Sequence, residues 1–245
     1  MSRLAAAVPA RVGVIGGGQM GAGITQVFLA AGGRVTVVEA GAEAAEAARR
    51  RIAEGLEEAR RRGKLNEDPE SALGRLAMRG SAAELDPRTD LAVEAVPEQP
   101  QLKAEVLQAA ETAVGPGAVL ATNTSSLPVT DLAAALDRPA RFLGMHFFNP
   151  VPASKLVEVV IGPDTDPDVT RAASGWVRAL GKTGVLVTDS PGFASSRLGV
   201  LLGLEAIRML EEGVADAEAF NAKRKPSFAG HASAVSPSAL RHGGT

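Results

Sequence analysis

One histidine and one glutamate in the second half of the chain have the types and spacing for proton transfer. Residues 141–152 read RFLGMHFFNPVP, which puts His146 at the end of a strand-like run and Asn149 three residues later. Glu158 follows His146 by twelve positions, inside LVEVV, with valines on both sides. A carboxylate within a β-branched strand is unfavourable unless it has a partner. An imidazole, with a pKa near neutrality, is a partner that would use it. The glutamate would fix the ring's orientation and stabilise its protonated form, leaving His146 to act as general base in one direction and general acid in the other. Taken singly, His146 reads as a hydrogen-bonded structural histidine and Glu158 as a solvent-facing strand position. Together, beside a dinucleotide motif, they read as a catalytic pair. Of three histidines, His231 and His242 lie near the C-terminus, so His146 is alone in the body of the chain.

The dinucleotide motif is Gly16-Gly17-Gly18-Gln19-Met20-Gly21, a G-x-G-x-x-G. With 27 glycines in the chain the pattern alone means little, but here a strand-like RVGVI precedes it and a helical spacing follows. Gly16 permits the tight turn, Gly18 lets backbone N–H groups approach a pyrophosphate, and Gly21 lets helix pack on strand. The helix N-terminus, which includes Gln19 and Met20, then faces the phosphates with its positive end. Glu39 ends the next strand, 18 residues past Gly21. A carboxylate there accepts from both ribose hydroxyls and repels a 2′-phosphate, so the cofactor expected is NAD and not NADP.

These groups need a scaffold, and the pattern supplies one. Short β-branched runs at residues 11–16, 34–39, 90–96, 118–122, 141–146, 156–161 and 185–188 alternate with helical spacings at 21–31, 42–62, 69–79, 101–114, 128–136 and 167–180. Alternation of this kind predicts an α/β fold, a Rossmann-type doubly wound and mostly parallel sheet. The pattern changes at Pro191. Residues 192–213 read as one long helix with apolar residues around most of its circumference, which calls for partners on several sides. Residues 220–245 have no periodicity and read as loop or disorder. The domains expected are 1–190, carrying cofactor and catalytic pair; 191–219, the start of a truncated all-helical domain; and a tail over 220–245.

Composition limits the function classes. The chain has 245 residues, 45% hydrophobic and 22% charged, as in an ordinary globular protein. With 26 basic against 28 acidic residues it offers no broad field for nucleic acid or an anionic membrane. There is no cysteine, so disulfides, thiolate metal sites and a cysteine nucleophile are excluded together. No metal site is expected. No run of 18 apolar residues exists, and because strand-like sequence begins at Val12, the small-residue stretch over residues 1–10 is not expected to be a signal peptide. The expected compartment is the cytoplasm.

The blocks GVIGGGQMGAGI, EAVPE, NTSSLPVT, RFLGMHFFNPVP, KLVEVV and DSPGF occur in this order from residue 12 onward. In these the sequence resembles the L-3-hydroxyacyl-CoA dehydrogenase family, which includes bacterial 3-hydroxybutyryl-CoA dehydrogenases. The resemblance implies oxidation of the 3-hydroxyl of an acyl-CoA to a ketone, with NAD as hydride acceptor. It makes His146 the base and Glu158 its partner, and sets Ser125, Asn149 and Ser196 against the substrate. Glu98 and Lys103, in EAVPEQPQLK, match positions that hold the nicotinamide ribose. The basic helix over residues 49–64 matches the region near the CoA nucleotide.

Two departures stand out. The family's P-G-F-x-x-N-R appears as Pro191-Gly192-Phe193-Ala194-Ser195-Ser196-Arg197, with Ser196 in place of an asparagine amide. A hydroxyl donates one bond and reaches less far. After GVADAEAF the sequence matches no part of the family's helical domain, which looks like a truncation and would leave the long helix free for self-association or aggregation. Two other readings therefore stay open: a weakly active dinucleotide-binding remnant, and a relative acting on a non-CoA hydroxy acid.

Overall fold

The computed structural model describes residues 7–214. Eight strands form one sheet: β1 (Arg11–Ile15), β2 (Arg34–Val38), β3 (Leu76–Arg79), β4 (Leu91–Glu94), β5 (Val119–Thr122), β6 (Phe142–Phe147), β7 (Leu156–Ile161) and β8 (Thr183–Thr188). Their order is β3-β2-β1-β4-β5-β6-β7-β8, and every neighbouring pair is parallel except β6 and β7. The chain passes from β1 outward to β2 on one side and later to β4 on the other. That reversal opens a crevice at the carboxyl ends of β1 and β4, where doubly wound sheets bind ligands.

The helices are α1 (Gln19–Ala30), α2 (Ala42–Arg61), α3 (Pro69–Leu73), α4 (Pro100–Ala113), α5 (Val129–Ala133), α6 (Pro167–Ala179) and α7 (Ser195–Glu211). β4 and β5 are buried throughout, as strands covered on both faces must be. One apolar cluster joins α1, α2 and α6 through Phe28, Ile52, Leu56 and Trp176. The other joins α4 and α5 through Leu107, Ala110 and Leu132. β6 feeds both: Leu143, Met145 and Phe147 point into the first and Phe142 into the second. The strand period of two thus places His146 on the face opposite Met145.

The stretch expected as one helix over residues 69–79 is two elements. Asp68 caps α3 by accepting from the Glu70 N–H at 3.1 Å, Pro69 opens it, and Gly74 closes it. Residues Leu76–Arg79 then pair with β2 as an edge strand. LAMR carries no strand alternation of its own, so pairing and not propensity decides its conformation.

The described residues fall into two compact units that divide between Arg197 and Leu198. α7 starts in the first and runs into the second. None of its residues is buried, and Leu198, Val200, Leu201, Leu202, Leu204 and Ile207 are all exposed. The tail expected over 220–245 lies outside the described residues.

Candidate active site

His146 and Glu158 are direct partners in the antiparallel register of β6 and β7. Residues so opposed have Cβ atoms about 5 Å apart, which lets two side chains on one face meet. The His146 Nδ1 lies 2.8 Å from Glu158 Oε2. His146 is 7% exposed and Glu158 1%. This bond engages Nδ1 and leaves Nε2 as the nitrogen able to exchange a proton. Phe148 and Phe193 flank the ring at centroid distances of 4.5 and 5.7 Å.

Glu158 has further donors. Its Oε1 accepts from the backbone N–H groups of Ala194 at 3.1 Å and Ser195 at 2.8 Å, and its Oε2 from Ser195 Oγ at 2.8 Å. Burial pushes its pKa up, but the bonds from His146 and Ser195 outweigh that and hold it below the usual carboxylate value. The turn before α7 aims these donors. Gly192 and Phe193 both take positive φ, +75° and +49°. The left-handed conformation costs a non-glycine residue about 1–2 kcal/mol. Burial of the Phe193 ring, 3% exposed, offsets it. Sequence reasoning did not single out Ser195, because the family pattern leaves its position open.

The glycine turn has the form a dinucleotide needs. Gly16 has φ +100°, and a Cβ there would sit 2.7 Å from the Ala95 carbonyl oxygen. A Cβ on Gly21 would sit 1.8 Å from the Gly16 carbonyl oxygen, so helix and turn touch through this glycine. A Cβ on Gly18 would meet nothing within 4 Å, which leaves open space beside its backbone. Gln19 and Met20 open α1; Gln19 is exposed, and Met20 packs partly on the core. Glu39 Oε2 accepts from the Gly17 N–H at 2.5 Å, which fixes the carboxylate over the turn, and Arg51 Nη1 reaches the Gly17 carbonyl at 3.2 Å. Gln19 Nε2 donates to Asn149 Oδ1 at 3.2 Å, so the turn and the HFFNP segment are joined.

Between these two regions lies a network that sequence reading caught only in part. Lys103 Nζ is 1% exposed and lies 2.7 Å from Glu94 Oε1 and 3.1 Å from Glu98 Oε2. Glu94 also accepts from Thr122 Oγ1 and the Val96 N–H, each at 2.7 Å. Glu98 Oε1 accepts from Thr124 Oγ1, from the Ser125 N–H at 3.1 Å and from Ser126 Oγ at 3.1 Å. Burial raises the Glu98 pKa; the Thr124 bond and the Lys103 charge more than reverse it. Lys103 is thus a buried link between two carboxylates. Glu94 was missed, although a carboxylate within LAVEAV is the same signal that singled out Glu158.

The sequence and the fold that build this crevice are similar to those of known proteins. Residues 11–190 match the family described as 3-hydroxyacyl-CoA dehydrogenase, NAD binding domain. The chain belongs to this family. NAD is therefore its cofactor, and the glycine turn and Glu39 fit it. The chain is 40% identical over 211 residues to a probable 3-hydroxybutyryl-CoA dehydrogenase of Deinococcus radiodurans, covering 86% of this chain and 76% of that protein. It is 43% identical to the 3-hydroxybutyryl-CoA dehydrogenase of Mycobacterium tuberculosis, covering 85% and 73%. Among solved structures, the (S)-3-hydroxybutyryl-CoA dehydrogenase of Ralstonia eutropha superposes with a TM-score of 0.81 at 35% identity, covering 88% of this chain and 78% of that one.

Ser196 stands where the sequence resemblance expects an asparagine. Its Oγ donates to the Ser125 carbonyl at 3.2 Å, so its one proton is committed to the loop after β5. The Ser125 side chain is exposed there. Among the described residues there is no group of three metal-ligating side chains, and no helix is long and apolar enough to cross a membrane.

Proposed function

We propose that the protein oxidises (S)-3-hydroxyacyl-CoA, such as 3-hydroxybutyryl-CoA, to the 3-oxoacyl-CoA. The observation that carries this is the 2.8 Å contact between His146 Nδ1 and Glu158 Oε2 on β6 and β7, with the segment after β6 joined to the glycine turn through Asn149 and Gln19. NAD, when bound, supplies the hydride acceptor. His146 Nε2 takes the proton of the 3-hydroxyl, while Nδ1–H donates to Glu158, which fixes the tautomer and stabilises the imidazolium. In reduction the same nitrogen returns the proton. Ser125 and Asn149 hold the hydroxyl and thioester region, with Ser196 bracing Ser125. Gly16, Gly18, Gly21, Gln19 and Met20 form the pyrophosphate cradle, and Glu39 the adenosine ribose site. A cavity of about 390 Å³ beside Glu39, lined by Ala42, Ala45 and Met78, suits the adenine. Glu98, held by Lys103, takes the nicotinamide ribose.

A second cavity, of about 640 Å³, lies between α1, α2 and the segment after β6. Arg62, Lys64, Lys182 and Glu58 line it; Glu58 pairs with Arg62, and Lys182 Nζ donates to the Val151 and Ser154 carbonyls at 2.6 Å each. The acyl-CoA reading is set ahead of a non-CoA hydroxy acid by the chain's similarity to 3-hydroxybutyryl-CoA dehydrogenases. The commitment of Ser196 to Ser125 favours turnover slower than an asparagine would give. The testing experiment is consumption of NADH with acetoacetyl-CoA against free acetoacetate. Turnover with the thioester alone supports the proposal, and equal turnover with the free acid overturns the CoA assignment.

A further inference from the structure

Glu158 Oε2 serves two donors at once, His146 Nδ1 and Ser195 Oγ, each at 2.8 Å. We infer that Ser195 is a positioning residue for the pair, its hydroxyl setting how strongly Glu158 holds the protonated imidazole of His146. This rests on the His146–Glu158 reading above. A carboxylate oxygen that accepts from a neutral O–H gives part of its hydrogen-bonding capacity to that donor, and the cation sharing the oxygen is held less tightly. The two backbone bonds to Oε1, from Ala194 and Ser195, keep the carboxylate in place whichever side chain stands at 195. Removing the hydroxyl therefore leaves the carboxylate where it is and returns Oε2 to the imidazole alone.

Among the described residues, the surroundings of the pair carry no competing charge that would mask the effect. From β8, Val185 stands opposite Glu158 in the register. Phe148 and Phe193 flank the ring, tilted at 49° and 58°, and the turn into α7 contributes Ala194 and Ser195. The charged group that acts on Glu158 is His146.

Ser195→Val and Ser195→Thr have nearly the same shape and differ in the hydroxyl. Proton NMR of the imidazole, followed through a pH titration of the full chain with His146→Gln assigning the resonance, reads the effect without needing turnover. In the valine variant the imidazole should keep its proton to about half a pH unit higher than in the unmodified chain, roughly threefold in proton affinity. The threonine variant should follow the unmodified chain. Should the valine variant fail to fold, Ser195→Ala carries the same expectation. Superimposable titrations of the variants with and without a hydroxyl overturn the inference. The acid limb of kcat/KM for hydroxyacyl-CoA oxidation should move by the same half unit. A displaced NMR titration with an unmoved rate profile would uphold Ser195 and remove His146 from proton transfer, so the two readings fail separately.

Discussion

Replacing His146 by glutamine keeps a polar side chain of similar reach but removes the group that exchanges the proton. Turnover should fall by about 10²–10⁴, the usual contribution of a general base, while NADH binding measured by fluorescence stays within a factor of about two. Glu158→Gln should lose as much or less, and the double variant should lose far less than the product, because the two residues act as a unit. The same carboxylate links stability to pH. Its folded pKa is held below the ordinary 4.5, so the folded state binds its proton more weakly than the unfolded state. Its contribution is fully present above pH 4.5 and is lost as the pH falls through the lower folded value. Urea unfolding should therefore show a decline in stability below pH 4.5 that Glu158→Gln reduces. At the cofactor, Glu39→Ala should narrow the preference for NADH over NADPH, since the repulsion of a 2′-phosphate at close range is worth about 1–3 kcal/mol. Equal Kd values for the two cofactors in the unmodified chain would contradict the assignment of Glu39.

At the scale of elements, the glycine turn separates folding from binding. A Cβ at Gly21 collides with the Gly16 carbonyl, whereas one at Gly18 meets open space. Gly21→Ala should lower the melting temperature and NADH affinity together. Gly18→Ala should leave melting unchanged, measured by circular dichroism, and weaken NADH alone. α7 poses the opposite problem, too much exposed apolar surface. Leu201, Leu204 and their neighbours are each able to contribute about 1.5–3 kcal/mol if covered. Exposed apolar area of this size favours self-association. Light scattering should show it in the unmodified chain and less of it in a Leu201→Gln, Leu204→Gln variant; a clean monomer that binds no hydrophobic dye would contradict the expectation.

At the scale of the molecule, the legible parts are those set by local pattern. Strands such as VGVI and LVEVV and the glycine turn announce themselves through β-branching and backbone freedom, and the doubly wound order follows from their alternation. His146 and Glu158 were legible as a pair because a carboxylate among valines needs a partner. β3 was not, because its four residues take their conformation from β2. Ser195 was not, because its role depends on the turn before α7 meeting β7, information carried by the tertiary fold and not by spacing; Glu94 carried the signal that marks Glu158, a carboxylate among apolar strand residues. The central claim is that this crevice runs a histidine-mediated hydride reaction on an acyl-CoA. The most direct measurement is the absorbance change of NADH with acetoacetyl-CoA, in the unmodified chain and in His146→Gln, with NADH affinity measured on both. The account predicts thioester-dependent consumption in the first and its near-complete loss in the second at unchanged NADH affinity; near-normal turnover in His146→Gln would contradict it.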